Sequence, residues 1–364
     1  MEILKKNIGR RQFISLSSMA LGVGMLARSA GNLFTSVWAP SAVMAAEMDS
    51  TKYGKYITLS VNNPPTERGI AMFPMGGDYP GFSGVIIGRM LPPGPMPGHD
   101  APEKHDGEIE YLIHLGNVAN DPLDLGADVD FFLGKGKWLE RYELKNTTVV
   151  YLPDGLWHCP WKVKKIRTAM SWVNVRIGDA AGGGMPGGMP PDAEGGVPGG
   201  APGGGMPGGD VTPLSDEERA AAKTSHYVFD KYLLSGVQKD MRDPVGGKWI
   251  AYTDCTKIAG GALTRIIRFQ PEKVPYNIIN RQTHEYGSLF IFLGTDLDDC
   301  TNLDAKVELF MGPEKERHVI NKSAIVYVPK DTAHGPFRVK EASGQFNFLE
   351  IVAGPELPGA VYNM

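Results

Sequence analysis

The chain carries one strand plan twice, and that duplication restricts its fold more than any other feature of the sequence. Leu125-Gly126-Ala127-Asp128-Val129-Asp130-Phe131-Phe132, running on to Val150-Tyr151-Leu152-Pro153, is matched by Leu303-Asp304-Ala305-Lys306-Val307-Glu308-Leu309-Phe310, running on to Val326-Tyr327-Val328-Pro329. Upstream, Val85-Ile86-Ile87-Gly88-Arg89 answers Thr264-Arg265-Ile266-Ile267-Arg268. Each copy reads as short runs rich in Val, Ile, Phe and Tyr, broken by Gly, Pro, Asn and Asp, with little helical period. Such runs are strands joined by turns, so each half is expected to be an all-β sandwich or closed barrel.

Between the copies, residues 182–209 contain 14 Gly and 6 Pro among 28 residues. A tract with no apolar period has nothing to bury and is expected to be a flexible, solvated connector. Its Met185, Met189 and Met206 read as part of that low complexity rather than as a soft-metal site. The expected organisation is therefore a first domain at 47–181, a connector at 182–210 and a second domain at 211–364. Ser215-Asp216-Glu217-Glu218 opens the second part as a capping box, predicting a short helix to about Thr224.

Residues 1–46 read as an address. Lys5 and Lys6 precede Gly9-Arg10-Arg11-Gln12-Phe13-Ile14, and the uncharged stretch from 13 to 27 is shorter than the roughly 20 apolar residues a span requires. The Arg pair resembles a twin-arginine export signal, with Ala42-Val43-Met44-Ala45-Ala46 supplying small residues for cleavage. An ordinary secretory signal carrying two arginines is the alternative. Either route places the mature chain outside a prokaryotic cytoplasm, in the periplasm or beyond, with no stable membrane span. Export after folding would let a metal be chosen inside the cell.

Of the 364 residues, 37 are Lys or Arg and 41 are Asp or Glu, a net charge of −4 with no long basic run. Nucleic acid is excluded as a partner on that ground. The three cysteines include no CxxC pair, so neither a disulfide framework nor a thiolate zinc ribbon is expected.

Four of the eight histidines fall at matching places in the two copies: His105 with His284, and His158 with His334. Around them, Glu103-Lys104-His105-Asp106-Gly107-Glu108-Ile109-Glu110 leads to Gly116, and Pro153-Asp154-Gly155-Leu156-Trp157-His158 follows. The second copy has Gln282-Thr283-His284 leading to Gly294, then Pro329-Lys330-Asp331-Thr332-Ala333-His334. These segments resemble the two sequence motifs of the cupin superfamily, G(x)5HxH(x)3-4E(x)6G and G(x)5PxG(x)2H(x)3N. Glu103 stands where the first His of the first motif is expected, and Lys162 replaces the Asn of the second.

The resemblance covers residues 80–180 and 255–355, and implies a bicupin: two tandem jelly-roll barrels in one chain. It also implies a divalent metal, Mn, Fe or Zn, held by His105, Glu110 and His158, with Glu103 as a fourth ligand or a catalytic acid or base. Counting back from the closing Gly puts Ser288 opposite Glu110. The second copy is therefore expected to lack the carboxylate, leaving His284 and His334 as a weaker second site. A metal-free barrel with packed histidines is the alternative for each half.

Lys162 and Arg338 each sit four residues past the second-motif His. Strand alternation would turn them to the same side, where a cation could hold a substrate carboxylate, although the same residues suit a solvent-facing edge. His114, four residues after Glu110, is expected to be a satisfied core histidine. Trp157 and Trp161 are expected to cover the barrel mouth or a domain contact. Cys159 should face away from the metal, and Cys255 and Cys300 could pair in an oxidising compartment.

The family includes oxygenases, decarboxylases and isomerases of small carboxylate- or enol-bearing molecules. The resulting expectation is an exported metal-dependent oxidoreductase or lyase of that kind, with the chemistry in the first barrel. A non-catalytic small-molecule-binding protein or metal carrier of the envelope is the other reading. Monomer and homodimer both suit a chain that already holds two barrels.

Overall fold

The computed structural model describes residues 51–61, 63–66, 69–73, 79–94, 99–178, 214–222, 229–236, 243, 246–254, 257–258, 261–270 and 276–354. The export segment, the Gly/Pro connector with its methionines, Thr224 and Cys255 lie outside the described residues.

The chain forms two tandem β-barrels of the expected jelly-roll kind. Its strands run β1 (Ile57–Leu59), β2 (Ile70–Ala71), β3 (Phe82–Leu91), β4 (Ile109–Gly116), β5 (Asp124–Leu133), β6 (Glu140–Asn146), β7 (Thr148–Leu152), β8 (His158–Ile166) and β9 (Met170–Ile177). After helix α1 (Asp216–Ala221) come β10 (Leu233–Leu234), β11 (Gly247–Thr253), β12 (Thr264–Phe269), β13 (Tyr276–Ile279) and β14 (Ser288–Gly294). The chain continues through β15 (Asn302–Met311), β16 (Glu316–Lys322), β17 (Ala324–Val328), β18 (His334–Ala342) and β19 (Phe346–Val352). The duplicated runs seen in sequence are β5 with β15, β7 with β17, and β3 with β12. Helix α1 opens with the predicted reciprocal cap: Glu218 N–H donates to Ser215 Oγ, and Ser215 N–H to the Glu218 carboxylate.

The first barrel consists of a sheet ordered β10-β7-β4-β9-β3-β2 facing a smaller sheet β6-β5-β8, and the second of β1-β17-β14-β19-β12-β11 facing β13-β18-β15-β16. Each barrel thus takes an edge strand from the other half of the chain. β1, which precedes the first barrel, pairs antiparallel with β17, and β10, which follows the connector, pairs with β7. Capping an edge in this way removes a row of unpaired backbone groups that would otherwise invite aggregation.

The two six-stranded sheets pack on one another. Tyr111, Ile113 and Leu115 of β4 enter one core cluster with Leu289, Ile291 and Leu293 of β14, and with residues of β9, β12 and β19. The alternate β4 residues face the first barrel's interior, where Leu112 packs with Phe131, Leu133 and Val163. Both faces of β4 and β14 are therefore buried, which explains their nearly unbroken apolar runs. Each large side chain so buried contributes about 1.5–3 kcal/mol.

Arg268 of β12, fully buried, pins this contact. Its Nε donates to Asn347 Oδ1 at 2.6 Å within the second barrel, and Nη2 donates to Gly116 O of the first. The closing glycines of the motifs have a steric cause: a Cβ at Gly116 would collide with Asp124 O, and one at Gly294 with Asn302 O.

Candidate metal centre

His105 lies in the loop before β4, Glu110 near the start of β4, and His158 at the first position of β8. Glu103 is brought alongside by a two-way backbone bridge to His158, with N···O distances of 2.8 and 2.9 Å. Side chains 53 residues apart in sequence therefore meet at one mouth of the first barrel.

Glu110 Oε2 lies 3.3 Å from His105 Nε2 and 3.2 Å from His158 Nε2, and Glu103 Oε1 lies 3.2 Å from His158 Nε2. Donor atoms of Glu103, His105 and His158 all fall within 4.8 Å of one another. His105 Nε2, His158 Nε2 and Glu110 Oε2 are buried. Apart from one another, these buried atoms have no hydrogen-bond partner of good geometry, so an ion at their shared point would satisfy all of them at once. Ligands on adjacent vertices around a metal at about 2.1 Å sit about 3 Å apart, so the observed spacing fits a coordination edge.

Second contacts fix the orientation of each donor. His158 Nδ1 donates to Leu156 O at 3.2 Å; a carbonyl can only accept, so the neutral ring keeps its lone pair on Nε2. Glu110 Oε1 accepts from Asn174 Nδ2 at 2.6 Å and from Arg176 Nε at 3.3 Å, both on β9, leaving Oε2 for the shared point. Asn174 and Arg176 belong to no motif, and it is strand register that brings them to the site: Glu110 pairs with Arg176 and Leu112 with Asn174 across β4 and β9.

Charge is concentrated here. Burial pushes the Glu110 carboxyl up, but His158, His105 and Arg176 outweigh it and hold it well below the usual carboxylate range. Burial likewise opposes ionisation of Glu103, yet His158 and His99 bring it down to about 2. Burial alone would depress His158, whereas Glu110 and Glu103 raise it to about 10. In the metal-free chain a proton on His158 thus stands where two carboxylates call for a cation. The donor set of two imidazoles and carboxylates suits a divalent metal of intermediate hardness.

Lys162 and Arg338 are exposed, as a solvent-facing edge requires, and are not turned with His158 and His334. Cys159, expected to face away, is buried and directs its Sγ at Glu103 Oε1, 3.6 Å off. Simple alternation breaks because β8 and β18 carry register shifts just after their leading histidines, and Cys159 has a left-handed φ of 65°. Burial, then Glu103 and Glu110, push the Cys159 thiol well up, so it stays protonated and donates. Arg338 instead lies over the Phe310 ring, 5.6 Å from its centroid.

His114 is fully buried against Phe131 and Trp161. Trp161 stacks on Trp172, and Trp157 carries Lys135 over its face at 4.1 Å. Cys300 is buried with a free thiol. Ser288 occupies the register position of Glu110, opposite Val328 and Val352, as Glu110 is opposite Leu152 and Arg176.

No family model and no curated protein matches the chain. Among solved structures it is similar to oxalate decarboxylase from Bacillus subtilis, at 12% identity over 82% of this chain and 75% of that one, with a TM-score of 0.43. Another structure of that enzyme, from a study of its Mn(II) centres, aligns at 12% identity over 82% and 76%, with a TM-score of 0.43. Vicilin from Capsicum annuum aligns at 12% identity over 82% of this chain and 86% of that one, with a TM-score of 0.48. Among the described residues, no helix is long and apolar enough to cross a membrane.

Proposed function

We propose that this protein is an exported, metal-dependent cupin enzyme acting on a small carboxylate- or enol-bearing molecule, of oxygenase or decarboxylase type. The observation that carries this reading is the convergence of three buried donor atoms at the barrel mouth, Glu110 Oε2 lying 3.3 Å from His105 Nε2 and 3.2 Å from His158 Nε2. His105, His158 and Glu110 would hold the ion, with Glu103 beside them. A divalent Mn, Fe or Zn would supply a Lewis-acidic centre able to chelate a carboxylate or enolate.

The protein's own part is positioning and proton handling. Asn174 and Arg176 keep Glu110 from rotating. Glu103, whose side chain is 31% exposed, is the one acidic group here with access to both solvent and the shared point. As a carboxylate it can accept a proton at Oε1 or Oε2 from a bound acid or enol and return it to a carbon centre; His99, 3.6 Å from Glu103 Oε2 and half exposed, links it to bulk water. Buried Cys159 orients Glu103 as a weak donor.

The test is elemental analysis of the natively exported protein, followed by a screen of small carboxylic and enolic acids for CO₂ release and O₂ consumption. Close to one first-barrel metal per chain that His158→Ala abolishes supports the reading. A folded wild-type protein that takes up no ion defeats it. Cell fractionation with Arg10 and Arg11 replaced by Lys tests the export signal: mature protein should vanish from the periplasm.

A further inference from the structure

We infer that the second barrel holds its own divalent-cation site, built by His284, His334 and Glu350, in which the carboxylate has moved to a different strand. The inference goes beyond the first-barrel centre and does not rest on it.

Sequence comparison finds Ser288 where the carboxylate should be, yet a carboxylate is present. Glu350 of β19 is fully buried, and its Oε1 lies 3.2 Å from His284 Nε2. Counting four residues from the strand position opposite the closing Gly, Glu350 takes the place held in the first barrel by Asn174: Gly294 pairs with Phe346, as Gly116 pairs with Met170. Side chains at both positions point into their barrels, one beside Leu112 and the other beside Phe290, so a carboxylate can reach the mouth from either strand.

The rest of the scaffold is retained. The rings of His284 and His334 are 5.0 Å apart, against 5.2 Å for His105 and His158. His334 Nδ1 donates to Thr332 O at 2.9 Å, as His158 Nδ1 does to Leu156 O, so its neutral ring carries the lone pair on Nε2. That atom is buried without a hydrogen-bond partner. Gln282 bridges His334 through two backbone hydrogen bonds of 2.9 Å, the place of Glu103.

Anchoring of the carboxylate is also reproduced with new residues. In the first barrel a guanidinium on the neighbouring strand, Arg176, holds one Glu110 oxygen and leaves the other facing imidazole. In the second, Arg265 of β12, directly opposite Glu350 in register, holds Oε2 at 3.1 Å, while Oε1 accepts from Gln282 Nε2 at 3.4 Å and lies 3.2 Å from His284 Nε2. Two imidazoles and one carboxylate suit the same class of ion, Mn, Fe or Zn. With Gln282 in place of Glu103 the second site lacks the exposed carboxylate that the first offers for proton transfer. Its ion is therefore assigned a structural or regulatory role.

The experiment loads purified full-length mature protein with Mn²⁺, removes free ion and counts metal per folded chain. Wild type is expected to hold about two ions, His158→Ala about one, and His158→Ala combined with His334→Gln almost none. Glu350→Gln, which keeps the shape beside Arg265, serves as the second variant in the His158→Ala background and should also empty the site. A single ion in wild type that His158→Ala removes overturns the second centre while leaving the first-barrel reading intact. A single ion that survives His158→Ala but not His334→Gln supports the second centre and defeats the first. An ion retained by the folded double variants overturns the assignment to these residues.

Discussion

Asn174 donates a 2.6 Å hydrogen bond to Glu110 Oε1 from the strand next to it, and so determines which carboxylate oxygen faces the histidines. A donor that keeps a ligand from rotating acts on affinity without touching the ion. Asn174→Leu is expected to fold and to weaken metal binding about 10- to 100-fold. Competition against a calibrated chelator measures it; unchanged affinity would remove Asn174 from the site.

Glu103 is expected to separate binding from turnover. Glu103→Gln retains the backbone bridge to His158 and the three remaining donors, so metal content should stay near the wild-type value. Activity found in the substrate screen should fall about 10²- to 10⁴-fold, the range for a lost general acid or base. Loss of the metal together with activity would make Glu103 a ligand instead.

In the metal-stripped protein, His158 is raised to about 10 by Glu110 and Glu103 against the opposing effect of burial. An unfolded histidine titrates near 6.5, so the stability gained from the ionised ring is complete below about pH 6.5 and is lost as pH rises through about 10. The carboxylates set the acid limit: Glu103, lowered to about 2, contributes above about pH 4.5 and loses its contribution as pH falls through about 2. The melting-temperature gap between stripped wild type and stripped His158→Gln should be widest near pH 5–6.5 and close toward pH 10. Metal uptake should follow the opposite course, tightening as pH rises, because the ion must displace that proton. A gap that widens with pH contradicts the coupling.

His114 should make the first barrel acid-sensitive. Burial pushes its ring down to about 3, so between about pH 6.5 and 3 the unfolded chain binds a proton that the folded one refuses. Stability therefore falls as pH falls through that window. Denaturant melts of His114→Gln between pH 6.5 and 4 should show a shallower decline than wild type.

Arg268 should be the most costly single side chain at the contact between the barrels. Arg268→Met would leave Gly116 O and Asn347 Oδ1 without this donor in a buried contact, and is expected to cost about 2–4 kcal/mol. Calorimetry would detect it as a lower melting temperature, with the first- and second-barrel transitions separating.

The duplication, the all-β character and the cap of α1 were legible in the amino acids, and the meeting of His105, Glu110 and His158 was implied by the resemblance of their segments to the cupin motifs. Each is expressed by residues close in sequence, or by a motif whose spacing reflects strand alternation. Alternation failed as a guide at Cys159, because a register shift and one left-handed residue move a strand face without leaving a periodic trace, whereas Lys162 and Arg338 lie exposed, as a solvent-facing edge has them. Only the tertiary structure decided that Asn174 and Arg176 orient Glu110, that Glu350 reaches His284, and that β1 and β10 cross to the opposite barrels. Those pairings join strands dozens to hundreds of residues apart, and lateral register between such strands is set by the packing of both sheets rather than by either strand alone.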